Sequence, residues 1–226
     1  NTLWLSVLQL IIVFPFTILF ALLLNELGSK KYKRTVQTIS YMPNFISMVV
    51  VAGIIMDFCA SDGAITSIVG AITGNYDNLL SLPGAWRPIY IISDIWQGVG
   101  FGSIIYVAAL AGIDKSLYEA AEIDGANRFQ RILHVTIPGI LDTIMIMLIL
   151  RIGQMMSVGY EKTILLYNSQ VYETADIISS YVYRMGLLEA DYGYSTAVSL
   201  FNSVINLILL CVTNTLSKKF TESSLF

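Results

Sequence analysis

Long apolar runs alternate along this chain with short polar segments marked by glycine and proline. A bilayer core needs about 20 consecutive, mostly apolar residues as helix. Five stretches reach that length: Leu3–Leu24, Val36–Phe58, Pro88–Ile113, Val135–Met156 and Tyr194–Leu216. Pro43 and Pro138 fall in the first turns of their runs, where a missing N–H does little harm. The 59–87 connection carries Asp62-Gly63, Gly74-Asn75 and Pro83-Gly84, which are turn formers. The 157–193 connection is too long for a simple turn and is rich in tyrosine, so it is expected to fold over the outer mouth. No repeat of fixed period appears. The pattern predicts an all-α, polytopic helical membrane protein with one transmembrane domain over residues 1–226.

Composition agrees. Apolar residues make up 55% of the 226, charged residues 13%, and the mean hydropathy is +0.68. An average soluble domain carries about 25% charged residues, so this chain holds more apolar surface than a soluble core can bury. Cys59 and Cys211 lie far apart near apolar runs and read as small buried hydrophobes, neither a disulfide nor a metal site.

Charge matters through its distribution. The 25–35 connection, the 114–134 connection and the tail with Lys218 and Lys219 together hold nine Lys and Arg, against three on the other side. The positive-inside rule puts the nine in the cytoplasm, with Asn1 outside and the C-terminus inside. An outside start is simplest to explain with an earlier span ahead of Asn1, so five visible spans of an expected six-span core are anticipated.

The 114–134 connection carries most information. Ser116 and Glu119 have capping-box spacing and predict a helix start there. Gly125 then ends about two turns of small-faced helix, as a left-handed glycine. A second amphipathic stretch places Phe129, Ile132 and Leu133 opposite Arg128 and Arg131 and leads to Pro138. Two short helices bent at a glycine make a docking knob, with Ala120 and Ala121 permitting close approach and Glu119 offering a charge. An ordinary interfacial helix with solvated charges fits the same residues.

Glu119-Ala-Ala, Gly125 after three residues, and Val135-Thr-Ile-Pro138 after nine more resemble the EAA loop of binding-protein-dependent ABC importer permeases. Val135 and Ile137 stand where that pattern has Ile and Leu. Asp124-Gly125-Ala126 is similar to the sugar-importing branch, as are Gln37-Thr-Ile-Ser-Tyr-Met-Pro43, Ile92-Ser-Asp-Ile-Trp96 and Leu166-Tyr-Asn168. The resemblance implies a type I permease fold and a bacterial cytoplasmic (inner) membrane location. It implies import of sugars, such as oligosaccharides or polysaccharide fragments, delivered by an extracytoplasmic binding protein. Implied partners are a second homologous permease and two ABC ATPase subunits that bind ATP and Mg themselves; no nucleic acid is implied. Glu119, Ala120, Ala121, Asp124, Gly125 and Pro138 would carry the ATPase coupling.

No catalytic residue and no metal site emerge. The chain lacks a G-x-x-x-x-G-K-[ST] phosphate loop, a zinc motif and a nucleophile elbow, and His134 is its single histidine. Cofactors in this chain are therefore expected to be none.

Polar groups inside apolar spans are costly and face a cavity or a partner. Asp94, Gln97 and Gly98 in the third run, and Arg151, Gln154 and Met155 in the fourth, mark a substrate pathway. Trp96, Phe101 and Tyr160 offer sugar-stacking surfaces, and Asn202 in the last run is a further candidate. An Asp94–Arg151 ion pair locking two helices is the structural alternative. The Gly98–Gly102 and Ala108–Gly112 pairs suit close helix packing, Asn202 and Asn206 suit interhelical hydrogen bonds, and Asp57 reads as solvated. The function class competing with an ATP-driven permease is an ion-coupled secondary transporter or channel.

Overall fold

A computed structural model describes residues 1–221; the side chains of 219–221, Lys219 included, and all of 222–226 lie outside the described residues. Every regular element among the described residues is helical. In chain order they are α1 (Thr2–Asn25), α2 (Lys30–Tyr41), α3 (Met48–Cys59), α4 (Ala64–Thr73) and α5 (Pro83–Ala111). Then come α6 (Lys115–Ile123), α7 (Arg128–Gly139), α8 (Leu141–Gly153), α9 (Tyr160–Leu166), α10 (Tyr172–Ala175), α11 (Ile178–Tyr183) and α12 (Tyr192–Thr221). Four helical runs are long and apolar enough to cross a membrane: α1, α3 with α4, α5, and Tyr192–Lys218 of α12. The α7–α8 pair makes a fifth if its 63° bend lies within one span.

Proline explains much of the irregularity. In α1 the segment Gln9–Val13 is a π-helix, and the Phe14 N–H reaches back to the Gln9 carbonyl. Pro15 follows; its ring would collide with the carbonyl four residues earlier, so the preceding turn widens. The same arrangement recurs at Ile132–Thr136 ahead of Pro138. Pro138 therefore sits well inside a helix that begins at Arg128, and not in a first turn. The helix bends just after it, at Ile140. The fourth run is thus two helices where one continuous 135–156 span was expected.

The second run also departs from its expected 36–58 course. Met42–Phe45 forms a 3-10 turn around Pro43, Ile46 is extended, and Ser47 caps a new helix by accepting from the Val50 N–H at 3.4 Å. α2 carries the four cations on an amphipathic cylinder with no buried residue. The apolar helix starts only at Met48 and runs on through α4, into the segment read as turns. Gly74 ends α4 with φ +77, the left-handed geometry glycine tolerates.

Two cores organise the bundle. The outer one gathers Leu5, Val51, Ile55, Cys59, Trp86, Tyr90, Leu166, Val171 and Ile177. The inner one gathers Ala21, Leu22, Tyr106, Leu110 and Ile140, with Ile132 and Ile137 packed against it. Cys211, expected to be buried, is exposed. The α5 glycine in closest contact is Gly100: a Cβ there would lie 2.0 Å from the Ser40 carbonyl oxygen. Gly98 has open space, whereas a Cβ on Gly102 would lie 3.3 Å from Thr17 Cγ2 of α1, so one member of that expected pair meets a neighbouring helix; Ala108 and Gly112 are exposed.

Residues 157–191 fold over the end of the bundle that holds the Trp86 core. Trp86 Nε1 donates to the Leu166 carbonyl at 3.2 Å, Asn168 Nδ2 donates to Leu80 O at 3.3 Å, and the Ile178 N–H donates to Thr2 Oγ1 at 2.9 Å. Arg184 and Asp176 close an ion pair at 2.7 Å.

Candidate functional site

A cavity of about 750 Å³ opens between the two cores. Its α1 wall, Gln9 to Thr17, lies between Leu5 of the outer core and Ala21 of the inner one. Its α5 wall is Tyr90, Asp94, Gln97, Gly98, Gly102 and Tyr106, a stripe at helical spacing. Arg151, Gln154, Met155 and Ser157 supply a third wall from the outer end of α8, and Tyr160, Glu161 and Lys162 of α9 complete it.

The α8 end is unwound from Gln154 to Gly159 and held by side chains. Ser6 Oγ donates to the Met155 carbonyl. Asn202 Nδ2 donates to Met156 O at 2.9 Å, the Met156 N–H donates to Asn206 Oδ1 at 3.0 Å, and Asn206 Nδ2 reaches Ser157 Oγ at 2.8 Å. Irregular backbone at membrane depth is tolerated where it lines a cavity or is buried in protein. The two asparagines, expected to bond between helices, bond instead to this unwound segment and satisfy the Met156 N–H and carbonyl.

Charge is arranged as a chain. Lys162, 2% exposed, donates to Asp94 Oδ1 at 2.6 Å and to Tyr90 O at 3.1 Å, with its ammonium 4.5 Å from the Tyr90 ring centre. Burial pushes the Lys162 ammonium down from its ordinary range, and the Asp94 carboxylate works against that shift. Gln9 Nε2 donates to the other Asp94 oxygen, and Gln9 Oε1 accepts from Arg151 Nη2 at 2.8 Å. The Asp94–Arg151 ion pair weighed from sequence is therefore absent among the described residues: a glutamine stands between them, and Asp94 pairs with Lys162.

Of the pathway candidates, Asp94, Gln97, Gly98, Arg151, Gln154, Met155 and Tyr160 line the cavity. Trp96 does not. It sits two positions beyond Asp94, about 200° around the helix, and is 45% exposed on the outer surface of the chain. Phe101 packs edge-to-face on Phe45 at 5.7 Å, beside the break in the second run. Asn202 borders a separate pocket between α9, α11 and α12. Gln9, Ser6 and Lys162 were missed. Gln9 is the sole amide side chain in the first apolar run, which is a usable signal; Lys162 is one of the three Lys and Arg, with Arg87 and Arg184, that the charge distribution assigns to the side opposite the nine.

The knob between α5 and α8 departs from expectation at its start. Asp114, not Ser116, caps α6: its Oδ1 accepts from the Ser116 N–H at 2.9 Å, which holds the carboxyl below its ordinary value. Gly125 ends the helix with φ +78. The Ala126 N–H donates to Ala121 O at 2.9 Å and the Gly125 N–H to Glu122 O at 3.1 Å, the paired bonds of a Schellman stop. Asn127 and Gln130 then exchange capping bonds at 2.9 and 2.8 Å and start α7. Tyr118 Oη meets Thr136 Oγ1 at 3.0 Å, tying the two helices together. Glu119, Ala120, Asp124 and Gly125 are exposed, Ala121 partly so, and Ile123 and Phe129 are 86% and 72% exposed. Pro138 lies apart from this tip, on the helix leading to the bend.

A bundle of helices long and apolar enough to cross a membrane, packed around a polar cavity and with a protruding knob between two of them, is the anatomy of a membrane permease. The chain belongs to the family of binding-protein-dependent transport system inner membrane components, whose profile matches residues 7–222. It is 43% identical over 227 residues to Protein LplB of Bacillus subtilis (strain 168), covering 100% of this chain and 71% of that one. It is 41% identical, at the same coverage, to the polygalacturonan/rhamnogalacturonan transport system permease protein YteP of the same organism. Among solved structures, a chain of a bacterial alginate ABC transporter in complex with alginate pentasaccharide-bound periplasmic protein superposes with a TM-score of 0.95 at 45% identity. That match covers 100% of this chain and 78% of that one.

Proposed function

We propose that this chain is one transmembrane half of an ATP-driven importer that moves saccharides, as oligosaccharides or polysaccharide fragments, from an external binding protein into the cytoplasm. A second homologous permease faces the cavity. Two separate ATPase subunits bind ATP and Mg, and this chain performs no catalysis of its own. Asn1 lies outside and the C-terminus inside.

One observation carries the reading. The knob and the cavity wall belong to one continuous structure: α6 is tied to α7 through Tyr118 and Thr136, and α7 leads through the bend at Ile140 to α8. The far end of α8 carries Arg151, Gln154 and Met155 into the cavity. A partner that moves the exposed face of Glu119, Ala120, Ala121, Asp124 and Gly125 thereby moves one wall of the pathway. ATP-driven closure of the ATPase pair is such a movement, and it switches access by rocking packed helices.

Purification from native membranes with mass spectrometry of what comes along tests the assembly. A second permease and an ATPase in near-equal amounts are expected. A chain that emerges alone or as a homo-oligomer under several mild detergents would favour an ion-coupled transporter instead, with the buried Asp94–Lys162 pair as its coupling element.

A further inference from the structure

We infer that Arg151 is the residue that recognises a carboxylate on the transported saccharide, so that the cavity favours uronic-acid sugars, with Gln9 as its positioning residue. This rests on the saccharide-import reading.

Three observations lead there. First, the other buried charges of the cavity are already matched. Lys162 and Asp94 are joined at 2.6 Å, and Gln9 takes the second Asp94 oxygen. Glu161 stands at the cavity edge, exposed to water. Second, Arg151 has a neutral partner only. Its recorded bond is from Nη2 to Gln9 Oε1 at 2.8 Å, and among the described residues no carboxylate lies within 4 Å of it. A guanidinium has five N–H donors in a planar fork suited to a carboxylate, so most of that fork is available to a ligand. Third, the direction of the Gln9 amide is dictated. Turned over, it would set its oxygen against Asp94 and its NH₂ against Arg151, both repulsive. Lys162 fixes Asp94, Asp94 fixes Gln9, and Gln9 fixes Arg151, whose remaining donors then face the cavity it lines. An unneutralised, oriented cation in a partly desolvated site attracts an anion, and a saccharide's anionic group with matching fork geometry is a ring carboxylate.

The test is equilibrium binding to the purified, detergent-solubilised permease–ATPase complex, without the binding protein, so that its selectivity is excluded. The probes are trigalacturonate and its carboxyl-reduced counterpart, galactotriose. The wild-type complex is expected to bind trigalacturonate about tenfold or more tightly, the range of a charge-assisted hydrogen bond. Arg151→Gln should abolish that preference by weakening trigalacturonate at least severalfold more than galactotriose, and Gln9→Leu should reduce the preference in part. Equal affinity of the wild type for both sugars, no saturable binding of either, or an equal loss for both in Arg151→Gln overturns the inference. If Arg151→Gln fails to assemble, Arg151→Lys keeps the charge but not the fork. It should lose several-fold on trigalacturonate alone, and an equal loss on both sugars again overturns the assignment. Uptake measured in parallel separates the two levels. Accumulation indifferent to ATP counts against the importer, whereas ATP-dependent accumulation with no carboxylate preference in the wild type counts against Arg151 alone.

Discussion

Asp94 and Arg151 both sit in apolar helices, yet their surroundings differ and so do the expected effects of removing their partners. Lys162→Met leaves Asp94, half-buried on the cavity wall, beside an amide and without its cation. Breaking a buried pair from one side costs about 3–5 kcal/mol, so the variant should lose thermal stability in detergent. Lys162→Met combined with Asp94→Asn should recover much of that loss; no recovery would mean that the two are not energetically coupled. Arg151→Ala, by contrast, removes a donor from a neutral amide, and it should assemble normally while changing substrate affinity or range. Failure to assemble would give Arg151 a structural role.

The sequence revealed Asp94, Gln97, Arg151 and Gln154 because each interrupts an apolar run. It misdirected the pairing because Lys162 follows an unwound segment that only tertiary contacts fold back into the bundle. Trp96 was drawn in by its chemistry, although its angular offset from Asp94 already pointed it elsewhere.

At the scale of elements, the knob depends on two termini. Gly125 holds φ +78, where a side chain costs about 1–2 kcal/mol and a β-branched one is worst placed. Gly125→Val should leave insertion intact and uncouple uptake from ATP hydrolysis. Glu119→Lys should do the same by reversing an exposed charge at the partner face. Unchanged uptake in both variants would remove the docking role. Asp114→Ala should weaken α6 by about 1 kcal/mol and reduce coupling in proportion, whereas loss of the Ser116 side chain should matter little. The wrong cap was chosen because Ser116 and Glu119 have the right spacing. Asp114 two residues earlier competes better: it is acidic, extended in backbone, and within reach of the Ser116 N–H. The same limit applied to the helices. Hydropathy located three of the apolar runs closely; the fourth bends at Ile140, and the second breaks at a Pro43 turn and restarts at a Ser47 cap, where local backbone chemistry overrides apolar length.

Across the whole molecule, the cavity exists because the packed apolar residues divide into an outer and an inner group, leaving the polar stripe of α5 between them. The chain also leaves large apolar faces uncovered, for example Leu200, Phe201, Val204 and Leu207 on α12. In a bilayer, lipid or a partner subunit would cover these, as the proposed two-subunit pathway requires. The all-helical class was legible from run length alone. The knob was legible from Gly125 and its neighbours. The cavity itself was not, since its walls include the widened turn Gln9–Val13 ahead of Pro15 and an unwound segment held by Ser6, Asn202 and Asn206.

The most direct test of the central claim is uptake of a labelled oligosaccharide into proteoliposomes holding the complete complex, with the binding protein outside and ATP inside. Accumulation that requires both, and that stops when the ATPase subunits are disabled, is the predicted result. Accumulation that continues without ATP hydrolysis and follows an imposed proton or sodium gradient would contradict it.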